Sequence, residues 1–181
     1  MKIVCLGWGS LIWDSRELNI PSEEWHEDGP ALPVEFSRKS SDGRMTLIID
    51  EQASPQVVLW AELKQEDLDD ARCLLARREG TKFKNIHFAR VGDSSGNSSE
   101  INSKVANWLK IKDLDVAIWT GLSYGGNGER PGASQVIEHL QKLKGCGRER
   151  AEKYVRKAPV QIDTEYRRKI EAKLGWTPRD D

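Results

Sequence analysis

The chain has 181 residues, with 28 Lys/Arg against 29 Asp/Glu and a formal net charge of −1. This balance argues against a global field pulling the protein towards nucleic acid or an anionic membrane. No apolar run approaches the roughly 20 residues of a membrane span. At 38% apolar and 31% charged residues, the composition is that of a globular chain with a sizeable core, and the length fits a single domain over 1–181.

The N-terminus lacks the basic stretch, long apolar run and small-residue cleavage site of a signal peptide, so a cytoplasmic protein is expected. Cys5, Cys73 and Cys146 show no CxxC and no regular spacing. They read as buried, reduced thiols rather than a disulfide or a metal site. His26, His87 and His139 do not stand at metal-ligand spacings, and no metal is expected.

Residues 3–6 (Ile-Val-Cys-Leu) form an apolar run that predicts a short buried strand. It breaks at Gly7 and Gly9, which bracket Trp8 and precede Ser10 and Leu11. Glycine gives such a turn access to positive φ and to close ligand approach. Successive amides in a turn make a concavity for anions, so residues 7–11 are a candidate cradle for a phosphate or carboxylate. An ordinary tight turn explains the spacing equally well. A dinucleotide fingerprint does not, because Ile12 stands where the third glycine is needed.

Residues 21–30 are acidic and turn-rich, which predicts a surface loop carrying Trp25. Strands follow at 32–37 and 45–50, joined by a hairpin turn at the Asp42-Gly43 pair. A further strand is predicted at 57–63. Leu68, Ala71, Leu74 and Leu75 lie on one helical face, which predicts a helix over 67–78 ending near Gly80. A strand at 85–91, a polar loop at 92–99, a helix at 101–109 and a strand at 115–122 come next. A glycine loop at 123–128 leads into three helices, near 133–144, 148–157 and 164–174. Trp60 and Trp119, in strand-like runs, are expected in the core. Strands before Gly125 and helices after it predict an α+β fold with a curled, mostly antiparallel sheet or barrel, surrounding helices and a helical C-terminus.

Two side chains outside the loop carry possible chemistry. Glu79 ends the 67–78 helix, where a carboxylate faces the negative end of the helix dipole. A carboxylate held in an unfavourable place is a good proton acceptor. Pairing with Arg77 or Arg78 is the plainer reading. Arg38, just past a strand, can hold a substrate carboxylate in a bidentate fork, or can simply be a surface arginine.

The stretch GWGSLIW at 7–13 is similar to the glycine loop of the gamma-glutamylcyclotransferase family, closest to the GYGSLIW form of its ChaC-like branch. The ending Arg-Arg-Glu-Gly of the 67–80 segment, after VVLWAEL, resembles that family's helix ending in Glu-Gly. Residues 162–166 (Ile-Asp-Thr-Glu-Tyr) are similar to its C-terminal Pro-Ser-x-x-Tyr stretch. Trp8 stands in place of the usual tyrosine, and Asp163-Thr164 in place of Pro-Ser. The resemblance implies a gamma-glutamylcyclotransferase-like fold and a γ-glutamyl small molecule as partner. It also implies release of 5-oxoproline with Glu79 as general acid/base and no cofactor. By the same resemblance, Gly7, Trp8, Gly9, Ser10 and Leu11 hold the γ-glutamyl group, with Tyr166 near the substrate.

A rival reading comes from residues 140–157, where Gly145-Cys146-Gly147 opens a basic stretch resembling one helix–hairpin–helix element. Such turns hold nucleic-acid phosphates through helix-start amides. Residues 140–176 hold eleven Lys/Arg against five Asp/Glu, although the whole chain carries −1. A non-catalytic small-molecule binder is a further alternative.

Overall fold

The structure is a computed structural model and describes residues 1–93, 99–126 and 128–179. It is α+β, with seven β-strands and five α-helices among the described residues. The strands form two open sheets, ordered β5-β1-β7-β6 and β3-β2-β4, where one curled sheet or barrel was expected from sequence. The described residues divide into two compact units. One takes Met1–Gly7, Leu11–Leu32 and Val57–Gly121; the other takes Trp8–Ser10, Pro33–Gln56 and Leu122–Asp181.

In the first unit, β1 (Ile3–Gly7) pairs antiparallel with β5 (Leu59–Glu62) and parallel with β7 (Val116–Thr120). The edge strand β6 (Ile86–Arg90) pairs antiparallel with β7. β1 is buried along its whole length, as a continuous apolar run demands when both faces of a strand are covered. Helix α1 (Leu68–Glu79) starts where Asp67 accepts hydrogen bonds from the amides of Asp69 and Asp70, at 2.9 and 3.0 Å. It stops at Gly80, which takes the left-handed conformation at φ 61°. Its Leu68, Ala71 and Leu75 enter one core with Ile3, Cys5, Leu11, Leu18, Ile20 and Trp25. Trp25 is therefore buried, although its neighbours Glu23 and Glu24 are exposed as a surface loop predicts. Helix α2 (Glu100–Lys112) packs on β6 and β7. Of the polar loop expected at 92–99, residues 94–98 lie outside the described residues.

The single strand expected over 57–63 is two, β4 (Pro55–Val57) and β5, which belong to different sheets. Val58 between them is fully buried. Its amide donates to the Pro30 carbonyl at 3.2 Å and its carbonyl accepts from Gly29 at 3.0 Å. The apolar run gave no sign of this break, because a buried residue between strands is as apolar as a strand residue.

In the second unit, β2 (Ala31–Lys39) pairs antiparallel with β3 (Met45–Ile49), and the register shifts between Glu35 and Arg38. The tight turn between them has Gly43 at φ 86°, as the Asp-Gly pair predicts. Three helices follow: α3 (Ala133–Lys142), α4 (Gly145–Lys157) and α5 (Glu165–Leu174). Helix α4 packs on β3, and α3 packs on α5. Helix α4 begins at Gly145 rather than at 148. The Gly145-x-Gly147 pair thus lies in its first turn, with Gly145 at φ 53°. Among the described residues, no helix is long and apolar enough to cross a membrane.

Candidate functional site

Within the first unit, the chain that follows β1 is tied to the end of α1 through Asp14 and Arg78. Gly7 is not at positive φ among the glycines that are. Its requirement is space: a Cβ there would sit 2.8 Å from both Ile12 and the Trp25 ring. Leu11 is buried in the same core and anchors the return of the loop. Glu79 is the last residue of α1, with a side chain 19% exposed. Its Oε1 accepts from Arg78 Nη1 at 2.7 Å, so the plainer reading of an Arg78 pair describes a real contact. Oε2 has no hydrogen-bond partner among the described residues. The buried Arg78 also donates from Nε and Nη2 to the carbonyl of Asp14, at 2.9 and 2.6 Å.

Cys5 reports the same proximity. Burial pushes its thiol up, the charge of Glu79 pushes it further, and Arg78 opposes both. The Glu79 carboxylate thus has one oxygen held by a guanidinium and the other unbonded.

Trp8, Gly9 and Ser10 belong to the second unit. The Trp8 indole donates from Nε1 to the Leu47 carbonyl at 3.2 Å. The Leu47 amide donates to the Tyr154 hydroxyl, also at 3.2 Å. A Cβ on Gly9 would lie 2.4 Å from that hydroxyl oxygen. Gly9 too has no positive φ, so both loop glycines answer to packing and not to the left-handed conformation expected of them. Ser10 is half-buried. Tyr154 was not singled out from sequence, because a tyrosine within a basic helix carries no distinguishing pattern.

The Arg38 fork is engaged at one of its nitrogens. Its Nη1 donates to the Ser123 carbonyl at 2.7 Å, and the Lys39 amide donates to the Tyr124 carbonyl at 3.1 Å. The glycine loop is thereby fastened to the end of β2. Gly125, at φ 82°, could not carry a side chain there, since a Cβ would stand 2.6 Å from the Lys39 carbonyl.

Tyr166 sits at the start of α5 in a polar network. Its hydroxyl donates to the Pro131 carbonyl at 2.8 Å and accepts from Arg130 Nη1 at 2.7 Å. Arg130 Nε reaches both oxygens of the fully buried Asp50, at 3.0 and 2.7 Å. The Tyr124 hydroxyl donates to Asp50 at 3.3 Å, and the Gln52 amide does so at 3.2 Å. Burial, with the Asp50 charge added, pushes the Tyr124 phenol up. Burial also pushes Tyr166 up, against the lowering effect of Arg130.

Thr164, the α5 N-cap, accepts from the Arg167 amide and donates its hydroxyl to Glu35. Glu35 also accepts from the amides of Phe36 and Tyr166, at 2.8 and 3.2 Å. Burial pushes its carboxyl up in spite of these three donors. Arg130 and Asp50 were missed from sequence. The acid closing the apolar run MTLIID was the available signal for Asp50.

The predicted residues therefore fall into two sets. Gly7, Leu11 and Glu79 belong to the first unit, and Trp8, Gly9, Ser10, Arg38 and Tyr166 to the second, where Trp8 meets Leu47 and Gly9 meets Tyr154. Of the three cysteines, Cys5 is buried, but Cys73 and Cys146 are exposed, contrary to expectation, because each lies on the solvent side of its helix. Among the described residues, no three His, Cys, Asp or Glu are grouped to hold a metal ion. No protein-family model matches the chain, and no match was found among curated proteins or solved structures.

Proposed function

We propose that the protein has a gamma-glutamylcyclotransferase-like fold and cyclises a γ-glutamyl amine or amide, releasing 5-oxoproline and a free amine. The observation that supports this most is the Arg78 clamp. It fixes the Glu79 carboxylate in the unit that contains β1 and Gly7, with one oxygen unbonded.

In the proposed reaction the substrate's α-amine attacks its own γ-carbonyl carbon. Glu79 takes the proton that the amine must lose and delivers it to the leaving nitrogen as the C–N bond breaks. The proton is conserved, and the step balances without a metal or nucleotide. The amides of Gly7 and Leu11, in the same unit as Glu79, would carry the substrate's charged oxygens, which holds the chain folded for attack. Arg38 Nη1 and the Tyr166 hydroxyl are already bonded, to Ser123 and to Arg130 and Pro131.

The test is 5-oxoproline release, read by mass spectrometry, from a panel of γ-glutamyl compounds that includes glutathione. Release by wild type and loss in Glu79→Gln supports the assignment. Turnover by Glu79→Gln near the wild-type rate overturns Glu79 as the base, and no release from any member overturns the reaction.

Nucleic-acid binding by residues 140–157 is the second reading. What favours it is that α3 and α4 are joined by only Leu143 and Lys144, with Gly145 in the left-handed region at the start of α4. A linear fall of log affinity with log salt for a short duplex would support it, and its absence would remove it.

A further inference from the structure

The second unit contains an open cavity of about 230 Å³. That is below the roughly 300 Å³ at which pockets for drug-sized ligands begin, so its occupant is small. Lys39, Arg130, Gln135 and Glu129 supply its polar lining, and Met45 and Val136 its apolar wall.

Arg130 is held before any ligand arrives. Its Nε is on both oxygens of Asp50 and its Nη1 is on the Tyr166 hydroxyl. Nη2 has no hydrogen-bond partner among the described residues. Asp50 is itself fully buried, so the guanidinium cannot swing away without stranding a charge. A donor fixed in this way does not lose side-chain freedom again on binding. Gln135 has its oxygen committed to the Gly132 amide at 2.8 Å, which leaves its NH₂ group as a donor.

The lining narrows the ligand. Lys39 and Arg130 are the cations of its lining and Glu129 its carboxylate. His139 donates from Nε2 to the Gly43 carbonyl, 2.6 Å away. The apolar wall of Met45 and Val136 suits the hydrocarbon part of an organic acid and gives inorganic phosphate nothing to pack against. A single carboxylate can take hydrogen bonds from Arg130 Nη2 and Lys39 Nζ.

We propose that this cavity binds a small monocarboxylic acid, with its carboxylate on Arg130 and Lys39 and its aliphatic part on Met45 and Val136. Asp50 and Tyr166 are positioning residues for Arg130. The site stands on the second unit alone and does not depend on the chemistry assigned to Glu79.

The experiment is an NMR titration of the ¹⁵N-labelled full chain with sodium butyrate, beside inorganic phosphate at matched ionic strength. Butyrate is expected to shift the amides of Gly125, Gly126 and Gln135 to saturation. Lys39→Ala, an exposed position, should weaken this about tenfold, the effect of roughly one charge-assisted hydrogen bond. Arg130→Lys should weaken it at least as much, since an ammonium cannot hold Asp50, Tyr166 and a ligand in one plane. Butyrate shifts that do not saturate, or an affinity unchanged in Lys39→Ala, would overturn the proposal. Saturation of the same amides by phosphate and not by butyrate would overturn it as well. Occupancy is read here without turnover, so failure of this site and failure of cyclisation are separate results.

Discussion

Arg78 and Glu79, consecutive at the end of α1, form a 2.7 Å ion pair in which the arginine also binds the Asp14 carbonyl through two nitrogens. The arginine is thus both a helix-end residue and the fastener of the chain that returns from the glycine turn. Arg78→Met should destabilise the fold by about 3 kcal/mol, because it leaves a partly buried carbonyl and a partly buried carboxylate without this partner. Arg78→Lys should recover only part of this, since one ammonium cannot reproduce the fork. Urea denaturation of the two variants checks the order. Glu79→Gln, in contrast, should leave the denaturation midpoint nearly unchanged while lowering cyclisation by about 10² to 10⁴-fold, the range of general acid–base catalysis.

Gly9 meets the Tyr154 hydroxyl at 2.4 Å from an added Cβ, whereas the next tyrosine atom, Cζ, is 3.4 Å away. Gly9→Ala should therefore cost about 1–3 kcal/mol through overpacking. Tyr154→Phe should cost about 1 kcal/mol through the unpaired Leu47 amide. The double variant should lose clearly less than the sum, since removing the oxygen removes the clash. Additive losses would show that Gly9 is not packed against Tyr154. A loss of substrate affinity in Gly9→Ala/Tyr154→Phe at full stability would instead assign Gly9 to the cradle.

Arg167 is a buried cation with an internal purpose. Its guanidinium donates to the carbonyls of Val155, Ala158, Pro159 and Ile162, at 3.4, 2.8, 2.6 and 3.0 Å, and to Glu171 at 3.1 Å. It therefore closes the C-terminal end of α4 and the turn into α5. Arg167→Met should lower stability by about 3–5 kcal/mol, as expected when one member of a buried charged network is removed. A fall in thermal midpoint of only a degree or two would contradict this role.

The cysteines separate by burial. The Cys5 thiol is enclosed, and burial together with the Glu79 charge holds it protonated at neutral pH, while Cys73 and Cys146 are exposed. Thiolate is the reactive form. Iodoacetamide at pH 7.5 should label Cys73 and Cys146 in the native protein and add Cys5 only in denaturant. Peptide mapping reads the pattern, and native labelling of Cys5 would show that β1 is not closed as described.

The sequence by itself determined what depends on neighbours along the chain. The Asp67 and Gly80 limits of α1, the Asp42-Gly43 hairpin, the strands at β1, β3 and β6 and the order of the helices all follow from periodicity, caps and turn chemistry. These are local interactions, legible in a few residues at a time. Glu79 could also be found there, as an acid just before the glycine that ends a helix.

The tertiary structure decided what depends on distant partners. It split the 57–63 run at Val58, because Gly29 and Pro30 take its backbone groups. It buried Trp25 under an acidic loop, and it gave Gly7 and Gly9 their meaning through Trp25 and Tyr154 rather than through φ. It committed Arg38 to the Ser123 carbonyl and set Arg130 between Asp50 and Tyr166. Hydrogen bonds to residues 80 or more positions away, such as Arg38 to Ser123 and Arg130 to Asp50, leave no periodicity in the sequence, so only the folded chain reveals them.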